Sequence, residues 1–159
     1  MNIVKAILSR FNLSEVSAHC DIPCGIYDPY QAQVAAHTVV RMDDLIANLD
    51  KSAADFDHKL SRYIATKEEH GELAKHEVRV IWGDFMKPEQ AESFPELQGL
   101  VWDIMKAGSG ARQTADKQKG LDLLAKVQRF AEIFWQIKGK STKRVPSNFP
   151  SGGELVIPA

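Results

Sequence analysis

Both cysteines of the chain and one of its five histidines fall in the run His19-Cys20-Asp21-Ile22-Pro23-Cys24-Gly25-Ile26-Tyr27-Asp28-Pro29. Two thiolates and an imidazole this close in sequence can all reach one metal ion. Pro23 and Gly25 bracket the second cysteine, so the segment should bend sharply and not run on as helix or strand. Sulfur with imidazole nitrogen suits zinc, copper or nickel, and suits calcium or magnesium poorly. A structural zinc site usually takes four protein ligands, and no nearby Cys or His completes that set. The same cysteines could instead act as a dithiol redox pair. A disulfide closing so short a loop would stabilise little.

The elements that must position these donors are helical. Asp28 can cap a helix that Pro29 opens, with Gln31 completing a D-x-x-Q pattern. Apolar residues then recur with helix period at Ala35, Val39, Met42, Leu45, Ile46 and Leu49. Ser52 is expected to cap a second, longer helix running to about Trp82, interrupted near Lys67 to Glu72 by an exposed or bent turn around Gly71. Pro95 opens a third helix carrying Leu97, Leu100, Val101, Ile104 and Met105, which Gly108 and Gly110 end. A fourth runs from about Thr114 to Lys138, with Gly139 as its C-terminal stop. No strand run is evident before the last twenty residues. The expected fold is all-α, a four-helix bundle preceded by an N-terminal metal-binding hook.

At 159 residues, with 44% hydrophobic and 26% charged residues, the chain has the size and composition of one globular domain with a real core. A formal net charge of −1 argues against a general nucleic-acid partner. No apolar stretch approaches the ~20 residues that span a bilayer. The residues before His19 are mildly amphipathic, and their longest unbroken apolar run, Ala6-Ile7-Leu8, is far short of the ~7–15 residues of a secretory signal. A cytoplasmic location is therefore expected. Three of the seven prolines, a Gly152-Gly153 pair and several serines fall within residues 140–159, which reads as a flexible C-terminal tail. His37, His58, His70 and His76 sit in helical segments and read as ordinary surface or core histidines. Trp82, Trp102 and Trp135 read as core or subunit-contact aromatics.

The run H-C-D-I-P-C-G-I-Y-D-P resembles the metal-binding hook of nickel superoxide dismutases, and further matches follow at similar spacing. They are Glu72-Leu73-Ala74-Lys75-His76, Trp82-Gly83-Asp84-Phe85-Met86-Lys87-Pro88, Phe94-Pro95-Glu96-Leu97 and Ile133-Phe134-Trp135. The likeness spans roughly residues 19 to 138. It implies a precursor whose residues 1–18 are a leader, removed by a processing protease after Ala18 so that His19 becomes the first residue. It also implies one nickel ion per subunit, held by His19 through its α-amine and imidazole and by the thiolates of Cys20 and Cys24, with the amide nitrogen of Cys20 completing the set. The implied activity is dismutation of superoxide in a homohexamer, with no nucleic-acid or membrane partner. A non-enzymatic nickel or copper binding protein would use the same hook.

The resemblance also carries roles for residues around the donors. Tyr27 would stand by the substrate approach, Asp21 and Pro23 would shape the hook, and Lys87 would attract the superoxide anion. Two departures stand out. Ala35 and His70 occupy the positions where many family members carry the glutamate and arginine that orient the hook imidazole, so backbone groups or His37 would have to provide that support. Phe85 replaces a second tyrosine.

Overall fold

The computed structural model describes residues 24–159. The chain there is mostly helical. Helix α1 is Tyr30–Ala47 and α2 is Phe56–Val80, followed by a π-helical turn at Ile81–Phe85. A short α3, Pro88–Ser93, precedes α4 at Leu97–Arg112 and α5 at Lys117–Ile137. Strands β1, Thr142–Pro146, and β2, Glu154–Pro158, close the chain as an antiparallel hairpin with Arg144 opposite Val156. Helix α1 packs on α2 and α5, and α4 packs on the same two helices from the other side.

Alternating small and branched residues set how closely the helices approach. Ala32, Ala35, Ala36, Val39 and Val40 of α1 are buried against Leu123, Val127, Phe130 and Phe134 of α5, with Ala74 and Val78 of α2 and Val101 and Ile104 of α4 completing the core. Burying such side chains supplies most of the driving force, on the order of 1.5–3 kcal/mol each. Gly71 and Gly108 face each other where α2 crosses α4. A Cβ on Gly71 would come within 2.6 Å of the Arg112 stem, and one on Gly108 within 2.7 Å of the Lys75 stem. Neither glycine therefore ends or bends a helix, as the sequence suggested. Both permit close approach.

The polar stretch 67–72, expected to be exposed, is continuous helix, and Lys67 is buried in it. Lys67 Nζ donates to Asp43 Oδ1 at 2.6 Å and to the Thr114 carbonyl, tying α1, α2 and the α4–α5 connection together. Burial raises the Asp43 carboxyl above its ordinary range, against the hydrogen bond and charge of Lys67.

Helix ends differ in detail from the sequence expectations. Pro29, expected as the first helical residue, holds the N-cap position of α1 instead, and Asp28 Oδ1 accepts the Tyr30 N–H at 2.8 Å in the turn just ahead of it. Ser52 instead bonds to Asp50, and α2 begins four residues later. Asp116, which the sequence reading passed over, caps α5 through Gln118. Gly139 stops α5 with φ +71°, as expected.

The clearest correction concerns residues 140–159. The flexible tail expected there is an anchored hairpin: Leu155 and Val156 are buried, and Gln33 of α1 pairs with the Val156 backbone through both its amide groups, at 3.0 and 2.8 Å. Ser147, Pro150, Ser151, Gly152 and Gly153 make the connection between the strands, while Pro146 and Pro158 end the strands themselves. Gly152 and Gly153 take φ of +68° and +74° in the turn, where side-chain-bearing residues are strained. Five residues of strand, Glu-Leu-Val-Ile-Pro, were too short to register against that composition.

Candidate metal centre

Cys24 stands on the segment that leads into α1. It is exposed, Gly25 beyond it turns with φ +71°, and its Sγ accepts the Ile26 N–H at 3.4 Å. His19, Cys20, Asp21 and Pro23 lie outside the described residues. Among the described residues no three His, Cys, Asp or Glu side chains gather to hold a metal.

The floor beneath this segment is aromatic. Half-buried Tyr27 lies 5.5 Å from Phe85 between ring centroids, Phe85 lies 5.1 Å from Phe134, and Phe134 lies 5.0 Å from Trp135 in an edge-on contact. The π-helical turn makes this possible. Its wide loop, closed by the Met86 N–H on the Ile81 carbonyl, buries Ile81 and places Phe85 between Tyr27 and the core. Lys138 rests its ammonium over the same rings, 5.3 Å from Phe134 and 5.8 Å from Phe85. Sequence reasoning passed over Lys138 because its position follows only from how α5 ends beside Phe85.

The other residues singled out from sequence fall in three places. Lys87 is exposed just before α3, on the rim of an open cavity of about 590 Å³ that Trp82, Met86 and Leu97 also line. Ala35 and His70 do come together, lining a cavity of about 300 Å³ beside Tyr30. His70, however, bonds through Nδ1 to the Thr66 carbonyl of its own helix at 2.8 Å. His37 is not available to support a hook imidazole. It is 2% exposed, with Nδ1 at 3.0 Å from Ser151 Oγ and Nε2 at 3.0 Å from the Glu154 carbonyl.

Taken together, these features describe a helical protein that carries Cys24 on an exposed segment ahead of its first helix, above a row of aromatic rings. Comparison with known proteins makes this specific. The family model for nickel-containing superoxide dismutase matches residues 14–138. The nickel superoxide dismutase of Streptomyces coelicolor is 43% identical over 126 residues, covering 77% of this chain and 90% of that protein. That of Streptomyces seoulensis is 42% identical over 127 residues, covering 78% and 91%. A native nickel superoxide dismutase structure superposes with a TM-score of 0.69 at 40% identity, covering 76% of this chain and 99% of the other. An apo structure of such an enzyme gives 0.67 at 37% identity, covering 72% and 99%. The chain belongs to the nickel-containing superoxide dismutase family. The matched residues contain all of residues 19–29 and end before the hairpin.

Proposed function

We propose that this protein is a nickel superoxide dismutase, converting two superoxide anions and two protons into dioxygen and hydrogen peroxide. The observation that carries the reading is the family match across residues 14–138, with the two cysteines and His19 inside it. The donor set fits the ion: thiolates with nitrogen ligands suit nickel, and Cys24 offers its sulfur on an exposed bend at the entrance to α1. When bound, nickel supplies a centre that alternates between two oxidation states, taking an electron from one superoxide and giving it to the next.

The rest of the work belongs to the chain. Cys20 and Cys24, as thiolates, donate the electron density that brings the higher state within reach, and His19 supplies nitrogen ligands. The α-amine of His19 is a ligand only if the mature chain begins there; within a peptide bond that nitrogen is a poor donor. Residues 1–18 therefore act as a leader, removed by a protease. Tyr27 holds substrate or water by its hydroxyl while Phe85 supports its ring. Asp21 and Pro23 shape the hook. Lys87 attracts the anion from its exposed position beyond Phe85. The helices α1, α2, α4 and α5 serve as a four-helix bundle carrying the hook. The mature subunits assemble as a hexamer in the cytoplasm.

The test compares protein beginning at His19 with protein retaining residues 1–18, each N-terminus established by mass spectrometry. Nickel content and superoxide decay are measured on both. Nickel-dependent activity confined to the trimmed form is the expected result. Equal activity in both would overturn the role of the amine. Bound metal without turnover in the trimmed form would favour a metal-handling protein, and turnover without metal a dithiol.

A further inference from the structure

The C-terminal hairpin lies beyond the residues that match the family, and its seat is built around one titratable group. Three side chains of the helices bond to the outer edge of β2. Gln33 of α1 pairs with Val156, and His37 of α1 and Gln128 of α5 both donate to the Glu154 carbonyl, at 3.0 and 2.6 Å. The hairpin thus bridges α1, the helix the hook leads into, and α5. The connection between the strands is shaped to the imidazole of His37. Ser151 meets Nδ1, the Phe149 ring stands edge-on 5.2 Å away, and a Cβ on Gly153 would come within 3.3 Å of Cε1.

We infer that the hairpin is a detachable clasp whose seat requires neutral His37, so that acidification releases the hairpin from α1 and α5 while the helices stay folded. The bonding pattern defines the neutral tautomer. Nε2–H donates to the Glu154 carbonyl, and Nδ1 accepts the Ser151 hydroxyl. A charged ring could still be met by rotation of that hydroxyl, so the cost of protonation lies in desolvation. The ring is 2% exposed. The charged group lining the cavity beside it is Arg41 of α1, of the same sign as an imidazolium. From α5 the nearest partners of the hairpin are neutral Gln128 and Glu132, and Glu132 is engaged by Arg144 of β1 at 2.8 Å. From β2, Glu154 meets the ring by its main-chain carbonyl, its side chain being exposed. Burial accordingly holds His37 below the ordinary histidine range, the Glu154 bond opposing that shift only in part.

The sign follows from proton binding. The released hairpin leaves His37 exposed with an ordinary pKa near 6.5, whereas the docked form resists the proton. The released state binds more protons below that pH, so docking is complete above it and is lost as pH falls from about 6.5 toward the docked value, by at most about tenfold per pH unit. His58, His70 and His76 lie on α2, to which the hairpin makes no hydrogen bond.

Hydrogen exchange of the full chain between pH 7.5 and 5.0, corrected for intrinsic rates, tests this. Protection of the amides of residues 142–158 should fall over that range, by up to about thirtyfold at the limit of about tenfold per pH unit below 6.5, while amides of α2 and α4 keep theirs. In His37→Gln, which keeps a donor for Glu154 but cannot charge, hairpin protection should be independent of pH. Unchanged hairpin protection in the native chain would overturn the proposal, and so would an equal pH dependence in the variant. Should His37→Gln fail to fold, the native pH series decides alone: loss confined to the hairpin supports the clasp, and uniform loss across all helices refutes it.

Discussion

Cys24 and His37 are both residues of metal-binding type, one just ahead of α1 and the other within it, and their surroundings are opposite. Cys24 is exposed on a bend, with its sulfur turned to a neighbouring N–H and its segment resting on aromatic rings. His37 is buried, and the C-terminal hairpin occupies both of its ring nitrogens. A donor that must meet a metal and a diffusing anion has to stay outside the core. A donor whose lone pair and proton are both taken by the chain can only hold the chain together. Residue type alone does not separate these roles; the partners of the side chain do.

Substitutions can break that contrast. The largest effect is expected at the hook. Cys24→Ser should lower nickel-dependent superoxide decay by more than about a hundredfold, because a neutral hydroxyl cannot replace a thiolate at nickel. Its far-UV circular dichroism and unfolding midpoint should match the native protein, since Cys24 lies outside the core. Near-native activity in the nickel-loaded variant would remove Cys24 from the centre.

Next comes a site that the contrast predicts to be purely structural. Lys67→Met leaves Asp43 buried without its cation and should destabilise the protein by about 3–5 kcal/mol in urea unfolding. Replacing both as Asp43→Leu with Lys67→Met should recover most of that loss, because an apolar pair leaves no charge buried alone. Nickel affinity per folded molecule should not change in either variant.

Gln33→Ala removes both amide bonds to Val156 and leaves that backbone unpaired in a buried setting, at a cost of about 1–3 kcal/mol. The loss should appear first as faster exchange in residues 154–158 and not in α2. A uniform loss across the helices would mean that the hairpin and the core unfold as one unit.

The smallest structural effect is expected at Tyr27→Phe. The ring contact with Phe85 survives, so stability should change by less than about 1 kcal/mol and nickel content should hold. Superoxide turnover should still fall, and a changed dependence on substrate concentration would locate the hydroxyl on the substrate path. Loss of nickel in this variant would instead assign Tyr27 to holding the hook.

By itself the sequence made the candidate donors and the helices legible. Two cysteines with an adjacent histidine name candidate metal donors by residue type alone, and the positive φ of Gly25 agrees with the bend expected beside Cys24. The periodic apolar stripes specify the helices, since one face per 3.6 residues is a local property. Only the tertiary structure decided the rest. It turned Gly71 and Gly108 from helix breakers into a crossing point, because only the second helix reveals the close approach. It buried Lys67 by bringing Asp43 from another helix. It assigned His37 to the hairpin, since its partners Ser151 and Glu154 lie more than a hundred residues away along the chain. It also made strands of residues 142–146 and 154–158, of which Leu155 and Val156 find an apolar surface only after α1 and α5 have come together. Short strands have little local preference of their own, and the energy that orders them comes from what they cover.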